Sequence, residues 1–233
     1  SMNKDVVGAA LLDYYNGKYS VDITVKSSIS EDDVIGIPYL FRSEKELPEL
    51  EKLALTYCQG KTLDVGGGSG CHSIILKEKG IDVTAIDISK GAVEVINKRG
   101  VHAECINFFD VQEKYDTLLF LMNGLGLSGD LDGLSTFLKK AKSLLNTNGQ
   151  ILLDSSDIKY MFEEDDGSVW VDLNRSYYGE VTYQMEYKDL TTDKFSWLFV
   201  DFKKLREIAA TLDLKTELIF EDDYNQYLVK LTA

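Results

Sequence analysis

The sequence predicts an α/β fold. The expected core is a doubly wound, mostly parallel seven-stranded sheet closed by an antiparallel C-terminal hairpin, with an N-terminal extension and a β-rich insertion after the fifth strand. Three observations carry this. Strand and helix patterns alternate from Thr62 to Asp157, as in a parallel sheet covered by helices on both faces. The first strand-to-helix turn is the glycine-rich stretch "DVGGGSG". The chain ends on a capped helix and two strand patterns separated by the acidic turn "EDD".

Each element has a local cause. Thr62 to Gly66 is a short apolar strand, and Cys71 to Lys79 a helix stopped by Gly80. "DVTAIDIS" is the second strand; Ser89 caps the helix of "KGAVEVINKR", which Gly100 ends. "VHAECINF" and "YDTLLFLMN" are the third and fourth strands. Leu131, Leu134, Leu138, Ala141 and Leu145 recur at spacings of three and four, the stripe of an amphipathic helix. "NTNG" then turns the chain into "QILLDSSD", the fifth strand. Asp201 caps "FKKLREIAATL", and "LKTELIF" and "YNQYLVKL" close the hairpin. Upstream, Val6 to Tyr15 reads as a short helix. "VDITVKSS" reads as a strand that "VIGIPYLF" can pair with across the acidic loop "ISEDD", and "LPELEKLALTYC" as an amphipathic helix. Between Ile158 and Val200, "SVWVDL", "YYGEVTYQMEY" and "FSWLFV" alternate at period two and are rich in Tyr and Trp. A connection this long is either functional or ordered by its own structure. One domain is expected: an accessory segment over 1–43, a core over 44–157, an insertion over 158–200, and the closing helix and hairpin over 201–233.

Composition narrows the function. The chain has 233 residues, enough for one such domain, with 44% hydrophobic and 27% charged residues. Its formal net charge of −14 would repel a phosphate backbone or an anionic membrane surface, and no Lys/Arg run is long enough to form a basic groove. Neither nucleic acid nor membrane is expected as a partner. Cys58, Cys71 and Cys105 are odd in number and lie far apart, as in a reduced protein without a disulfide frame. The two histidines, His72 and His102, make a His-rich metal site improbable. No apolar run reaches membrane-spanning length and no basic-then-apolar leader opens the chain, so a cytoplasmic monomer or homodimer without a metal is expected.

The glycine loop carries the chemistry. A dinucleotide fingerprint needs Gly-x-Gly-x-x-Gly, but Gly66, Gly68 and Gly70 give Gly-x-Gly-x-Gly, and Cys71 stands where the third glycine would fall. No Gly-Lys-Ser/Thr follows, which excludes a triphosphate P-loop. What remains is a bare turn that a ligand can approach closely, ahead of a helix with free N–H groups. Asp64 precedes the first glycine and can face an ammonium or stabilise the turn. Asp87, at the end of the second strand, can accept both hydrogen bonds of a ribose diol.

With these residues in place, the sequence resembles the class I S-adenosylmethionine-dependent methyltransferases, whose core is Rossmann-like. "LDVGGGSG" looks like their first motif, "VTAIDIS" their second, "ECINFFD" the adenine-binding turn, and "YDTLLFLMNGLG" the fourth strand with the turn under the methionine moiety. "LLNTNGQILLDSSD" resembles their fifth strand and the helix and turn before it, so the motif-bearing likeness covers Lys61 to Asp157. "FLMNGLGLSG", "LLDSSD" and "WLFVDF" resemble a group of bacterial methyltransferase-like proteins without an assigned acceptor. Asn107 departs from the usual aspartate, although an amide oxygen still accepts a bond from the adenine amino group.

The resemblance implies S-adenosylmethionine as cofactor and a small-molecule methyl acceptor. It implies that Asp64 faces the methionine ammonium, that Gly66, Gly68, Ser69 and Gly70 line the methionine and ribose, and that Asp87 holds the ribose hydroxyls. Ile88 would pack on adenine, Asn107 and the Phe108 backbone would read its edge, and Met122, Asn123 and Gly124 would border the sulfonium. Arg42 would bind a carboxylate of the cofactor or acceptor, or pair with a nearby glutamate. For the acceptor, the candidates are Tyr39 and Phe41 in the N-terminal segment, Tyr177, Tyr178, Glu180 and Tyr183 in the insertion, and Asp154 and Asp157, which end the fifth strand near one edge. Asn123, Asp154, Tyr178 and Glu180 are the catalytic candidates. The alternatives are that these aromatics merely pack a small sheet, that His72 is a packing residue rather than a base, and that Glu163 to Asp166 is a solvated loop. A catalytically silent protein-binding module and an NAD-dependent oxidoreductase are the rival functions.

Overall fold

The computed structural model describes residues 4–168 and 177–233; most of the "SVWVDL" strand pattern, from Val169 onward, lies outside the described residues. The elements run α1 (Val6–Tyr15), β1 (Ile23–Ser27), β2 (Asp33–Ile35), α2 (Glu49–Tyr57), β3 (Thr62–Val65), α3 (Cys71–Glu78), β4 (Val83–Asp87), α4 (Lys90–Lys98), β5 (Ala103–Cys105), β6 (Tyr115–Phe120), α5 (Leu131–Ser143), β7 (Leu145–Ser156), β8 (Glu180–Tyr187), β9 (Leu190–Thr191), β10 (Phe195–Leu198), α6 (Phe202–Thr211), β11 (Lys215–Glu221) and β12 (Gln226–Thr232).

The main sheet has seven strands in the order β11-β12-β7-β6-β3-β4-β5. The five strands from β3 to β7 pair in parallel, and β12 is antiparallel to both β7 and β11. This is the expected doubly wound sheet with its C-terminal hairpin. The chain moves outward through β4 and β5 on one side of β3 and through β6 and β7 on the other, so a crevice opens at the carboxyl ends of β3 and β6. Helices cover both faces. Leu50 and Leu55 of α2, Ile75 and Leu76 of α3, and Ile96 of α4 pack with Leu119 and Leu152 on one face. On the other, Phe137 and Leu138 of α5 and Leu205 of α6 pack with Phe120 and Leu153.

β7 starts earlier than the sequence suggests. Leu145 pairs with Tyr115, whereas the next paired positions are Thr117 with Gln150. The intervening "NTNG" is therefore accommodated as an irregularity within the strand, with Asn148 left-handed at φ 66°.

The N-terminal segment and the insertion, which read as two separate additions, form one antiparallel sheet. β1 pairs with β2 on one side, through Asp33–Ile35 only, and with β8 on the other. The rest of "VIGIPYLF" becomes a 3-10 turn over Ile37–Phe41. β10 and β9 both pair with the far edge of β8. Val25 of β1 opposes Met185 of β8, and both pack toward α1 with Tyr187.

α1 lies on α4 through a close backbone contact. A Cβ on Gly91 would stand 2.5 Å from the Cα of Gly8. Asp5 secures the contact: it caps α1 by accepting the Gly8 N–H at 3.0 Å, and it accepts from the Ser89 hydroxyl at 2.9 Å and the Gly91 N–H at 3.1 Å. One carboxylate thus serves the N-termini of two helices. No helix among the described residues is long and apolar enough to cross a membrane.

Candidate active site

The glycine loop has a packed side and an open side. Gly66, Gly68 and Gly70 have φ of 73°, 58° and 85°, backbone that L side chains rarely adopt. A Cβ on Gly67 would meet Ala85 and Ile96 at 3.0 Å, and one on Gly70 would meet Ile96 at 3.1 Å. Over Gly66 such an atom would touch nothing within 4 Å, and over Gly68 only the Gly66 carbonyl at 4.0 Å. The open side is a cradle for something that needs bare backbone.

β4 fixes the cradle. The Ile86 carbonyl accepts from the N–H groups of Gly66 at 2.9 Å and Gly67 at 3.0 Å. Asp87 accepts from the Gly68 N–H at 3.0 Å through one oxygen and from the Ser89 N–H at 2.9 Å through the other. Burial raises its pKa, and these two backbone bonds pull it back. Beside it Ile88 is 77% exposed, a large apolar side chain held out at the cleft edge. Asn107 caps the next turn by accepting the Phe109 N–H at 2.9 Å. Phe108 is buried against Phe120 and Phe137, and Phe109 is the exposed member of the pair.

Three expected cofactor residues are committed to the protein itself. Asp64 is buried beneath the loop, where it accepts the Ser73 hydroxyl at 2.7 Å; burial raises its pKa. Ser69 donates its hydroxyl to the Leu40 carbonyl, and its own carbonyl accepts from Arg99 at 2.7 Å. Arg42 pairs with a glutamate, the second of its two expected roles. Its guanidinium makes a two-pronged bridge to Glu51 with both contacts at 3.0 Å, while Nε donates to the Tyr39 carbonyl at 2.6 Å. It also lies over the Tyr39 ring and reaches the Met122 sulfur.

His72 is buried and sits 2.6 Å from the same Glu51. Burial opposes its charge, but Cys71 and Glu51 outweigh burial and push its pKa up to about 10. Burial likewise opposes ionisation of Glu51, and His72 and Arg42 hold its carboxyl below the ordinary value. The result is a buried carboxylate shared by two cations. Sequence reasoning missed Glu51. The available signal was a glutamate placed between Leu50 and Ala54 on the apolar face of an amphipathic helix.

Next to this cluster is a cavity of about 230 Å³ at the carboxyl ends of β6 and β7. Tyr39, Met122 and Phe199 form its apolar wall, and Asn123, Asp154 and Gln226 much of its polar wall. Met122 and Asn123 are both left-handed at φ 57°, a strained pair that the surroundings must hold in place. Asn123 supplies the anchor. Its N–H donates to Asp154 at 3.0 Å, its side-chain amide donates to the Leu198 carbonyl at 3.0 Å, and its side-chain oxygen accepts the Ser155 hydroxyl at 2.6 Å. Gly124 follows directly, with Phe120 and the Val65 carbonyl close behind it. Asp154 is 1% exposed, and its Oδ1 has no hydrogen-bond partner. Burial pushes its pKa up to about 7; the Asn123 N–H draws it down, Glu51 pushes it up, and the Gln226 side chain and His72 draw it down.

Asp154 and Asp157 both stand at the carboxyl end of β7, but on opposite faces. Leu152 and Asp154 point to the α2–α3 face of β7, while Leu153, Ser155 and Asp157 point to the α5–α6 face. Tyr178 follows Asp157 and donates to it at 2.7 Å; Tyr177 donates to Asp201, whose N–H donates back to the Tyr177 oxygen at 2.9 Å. This cluster sits at the start of α6, away from the cavity. Glu180 accepts the Leu131 N–H at 3.2 Å at the start of α5. Tyr183 packs against Phe195 and Phe199 in the accessory sheet. Of the acceptor candidates, Tyr39, Asn123 and Asp154 meet at the cavity, whereas Tyr177, Tyr178 and Glu180 do not. Phe199 and Gln226, which no sequence pattern singles out as site residues, join them there. Among the described residues no group of three or more His, Cys, Asp or Glu side chains could hold a metal, and Glu163 to Asp166 is an exposed turn.

Comparison with known proteins agrees with this geometry. A family model described as a methyltransferase domain matches residues 63–153. The crystal structure of a SAM-dependent methyltransferase from Bacteroides fragilis, in complex with S-adenosyl-L-homocysteine, is 44% identical, with 100% of this chain and 96% of that chain covered at a TM-score of 0.94. The chain belongs to the class I S-adenosylmethionine-dependent methyltransferases. An uncharacterized methyltransferase from Staphylococcus carnosus is 26% identical over 64% of this chain and 81% of its own. The CcbJ methyltransferase from Streptomyces caelestis shares the methyltransferase fold at 12% identity, with a TM-score of 0.64 over 82% of this chain and 98% of its own. These relatives lend no support to the silent binding module or the NAD-dependent oxidoreductase.

Proposed function

We propose that this methyltransferase moves a methyl group from S-adenosylmethionine to a small-molecule acceptor seated in the Tyr39–Met122–Asp154 cavity. The observation that carries the reading is the open cradle over Gly66 and Gly68, tied at one end to Asp87 and followed at the other by the Met122–Asn123 turn and the cavity. The Bacteroides relative binds S-adenosylhomocysteine on the same fold, which supports the same donor here. Asp87 would hold the ribose diol, and Gly66, Gly68 and Gly70 would let the donor lie against bare backbone. Ile88 would cover adenine, and Asn107 and the Phe108 backbone would meet its edge. Met122, Asn123 and Gly124 would border the sulfur. Asp64 and Ser69 would shape the loop from below, and Arg42 would act through Glu51 and Tyr39 on the cavity wall.

When bound, the donor supplies an electrophilic methyl group on a sulfonium. The protein's own work is alignment and exclusion of water. Asn123 holds the turn against β7 and β10, and the chain leaving β10 brings Phe199 to the cavity wall. Holding two reactants at attack geometry in a dry site lowers a barrier by up to about 7–11 kcal/mol.

Calorimetric titration with S-adenosylhomocysteine and with NAD tests the reading. Micromolar-range binding of the first and none of the second is expected. Binding of NAD alone would overturn it.

A further inference from the structure

We infer that the acceptor is a small amine with an apolar body, held through its ammonium by the unpartnered Oδ1 of Asp154, which takes its proton before attack. This inference rests on the methyl-transfer reading and names its substrate class. A nine-tenths buried carboxylate rarely leaves an oxygen without a partner, because the desolvation cost is then uncompensated. Asp154 does so on the wall of a cavity, while its other oxygen is fixed by the Asn123 N–H. Beside it the Gln226 side chain draws the carboxyl down but completes no hydrogen bond to Oδ1, so this oxygen stays open to a donor in the cavity.

Charge selects an ammonium. The other carboxylate on the wall, Glu51, is already matched by Arg42 and His72. That leaves Asp154 as the unmatched anion facing the space. A carboxylate acceptor would be repelled there. An ammonium brought near a sulfonium would also be repelled without a compensating anion, and Asp154 is the carboxylate on the wall that can supply one. Tyr39, Phe199 and Met122 offer the apolar surface for the rest of the molecule. Proton affinity agrees: the Asp154 carboxyl sits near 7, about three units below an alkylammonium at about 10.4. An alcohol is as weak an acid as water and lies far beyond its reach. The charged groups around Asp154 are Glu51 from α2 and His72 from α3, and its polar neighbours are Asn123 and Gln226.

In the step, an N–H bond of the ammonium breaks and its proton passes to Oδ1, leaving the electron pair on nitrogen. That pair forms the N–CH3 bond as the C–S bond breaks and its electrons return to sulfur. The products are an N-methylammonium and a neutral thioether, and Asp154 gives its proton to solvent on release.

The test uses the full chain saturated with S-adenosylhomocysteine and titrated calorimetrically with 2-phenylethylamine, 2-phenylethanol and 3-phenylpropionate. The amine should bind at least about tenfold more tightly than the alcohol, the scale of one charge-assisted hydrogen bond. Asp154→Asn should erase that preference and leave S-adenosylhomocysteine affinity within about twofold, well under one such bond. Equal binding of amine and alcohol, or an amine preference that survives in D154N, would overturn the inference. So would a D154N protein that loses S-adenosylhomocysteine instead, because the carboxylate would then serve the donor's own ammonium. Failure of the wild type to bind S-adenosylhomocysteine at all would strike the methyl-transfer reading first. Should D154N not fold, wild-type titrations near pH 7 in buffers of different ionisation heat decide the matter. Amine binding should release a fraction of a proton and alcohol binding none, and equal release would sink the inference.

Discussion

Replacing Asp87 by alanine probes the donor site most directly. Its two oxygens already accept from Gly68 and Ser89, at 3.0 and 2.9 Å, so the carboxylate is fixed before any ligand arrives. Each oxygen keeps a lone pair for one hydroxyl of a ribose diol. A hydrogen bond to a charged group contributes about 1.5–3 kcal/mol net, and the lower value suits a half-buried carboxylate. Two such bonds come to about 3 kcal/mol, or roughly a hundredfold in S-adenosylhomocysteine affinity by calorimetry. Alanine also frees the Gly68 N–H and loosens the loop, which would weaken binding without any ribose contact. Comparison with the 2′,3′-dideoxy analogue separates the two effects. If Asp87 holds the diol, D87A should cost the parent ligand about a hundredfold and the analogue only the small loop share. Unchanged parent affinity in a folded D87A protein would refute the assignment. Equal losses for both ligands would show that Asp87 acts through the loop alone.

Three further outcomes follow from the buried groups. Glu51→Gln leaves Arg42 and His72 as neighbouring buried cations without their carboxylate, so urea unfolding should show a loss of about 3–5 kcal/mol; a loss below about 1 kcal/mol would mean the pair is already solvated. Asp154 has a folded pKa of about 7, raised above its ordinary 3.8, so the folded state binds the extra proton. The Asp154 contribution to stability should therefore fall as pH rises from about 4 to 7, by up to roughly 4 kcal/mol, and then level off. Relative to wild type, D154N should gain stability across that window, and a pH-independent difference in unfolding free energy would contradict the shift. Gly91→Ala drives a methyl into the Gly8 backbone at 2.5 Å, so α1 must lift from α4. A melting temperature lower by several degrees is expected, and an unchanged one would mean that the helix contact adapts freely.

The core of the fold was legible because its signals are local. Gly80 and Gly100 stop helices at φ of 83° and 94°, Ser89 and Asp201 cap them, and the leucine stripe of α5 needs no tertiary knowledge to be read. Gly66, Gly68 and Gly70 could be placed because only glycine tolerates their backbone. The accessory sheet was only half legible. Each of its strands alternates at period two, but nothing within β1 says that its second neighbour is β8, more than 150 residues away in places. Strand partners are chosen by packing, here by Val25, Met185 and Tyr187 closing on α1. Asp5 was invisible for the same reason. Its capping of α1 is a local matter, but its bonds to Ser89 and Gly91 depend on how two helices meet.

Strand parity decides which carboxylate belongs to the cavity. Asp154 lies on β7 and Asp157 directly follows its last residue, three positions on, and an odd separation along an extended chain puts two side chains on opposite faces. The sequence names both as acceptor candidates and only Asp154 among the catalytic ones, without a reason in strand geometry for the choice. The deciding facts are tertiary. α2 and α3 cover the face on which Leu152 and Leu119 lie, and they bring Glu51 and His72 to that side. Tyr177 and Tyr178 descend on the other face and are consumed by Asp201 and Asp157. A tyrosine hydroxyl already donating to a carboxylate has lost the donor that substrate recognition would require. Asp154 differs in keeping one oxygen free although almost no solvent reaches it. That unmatched oxygen distinguishes a wall built for a ligand from one built for stability, and no pattern of residue types along the chain encodes it.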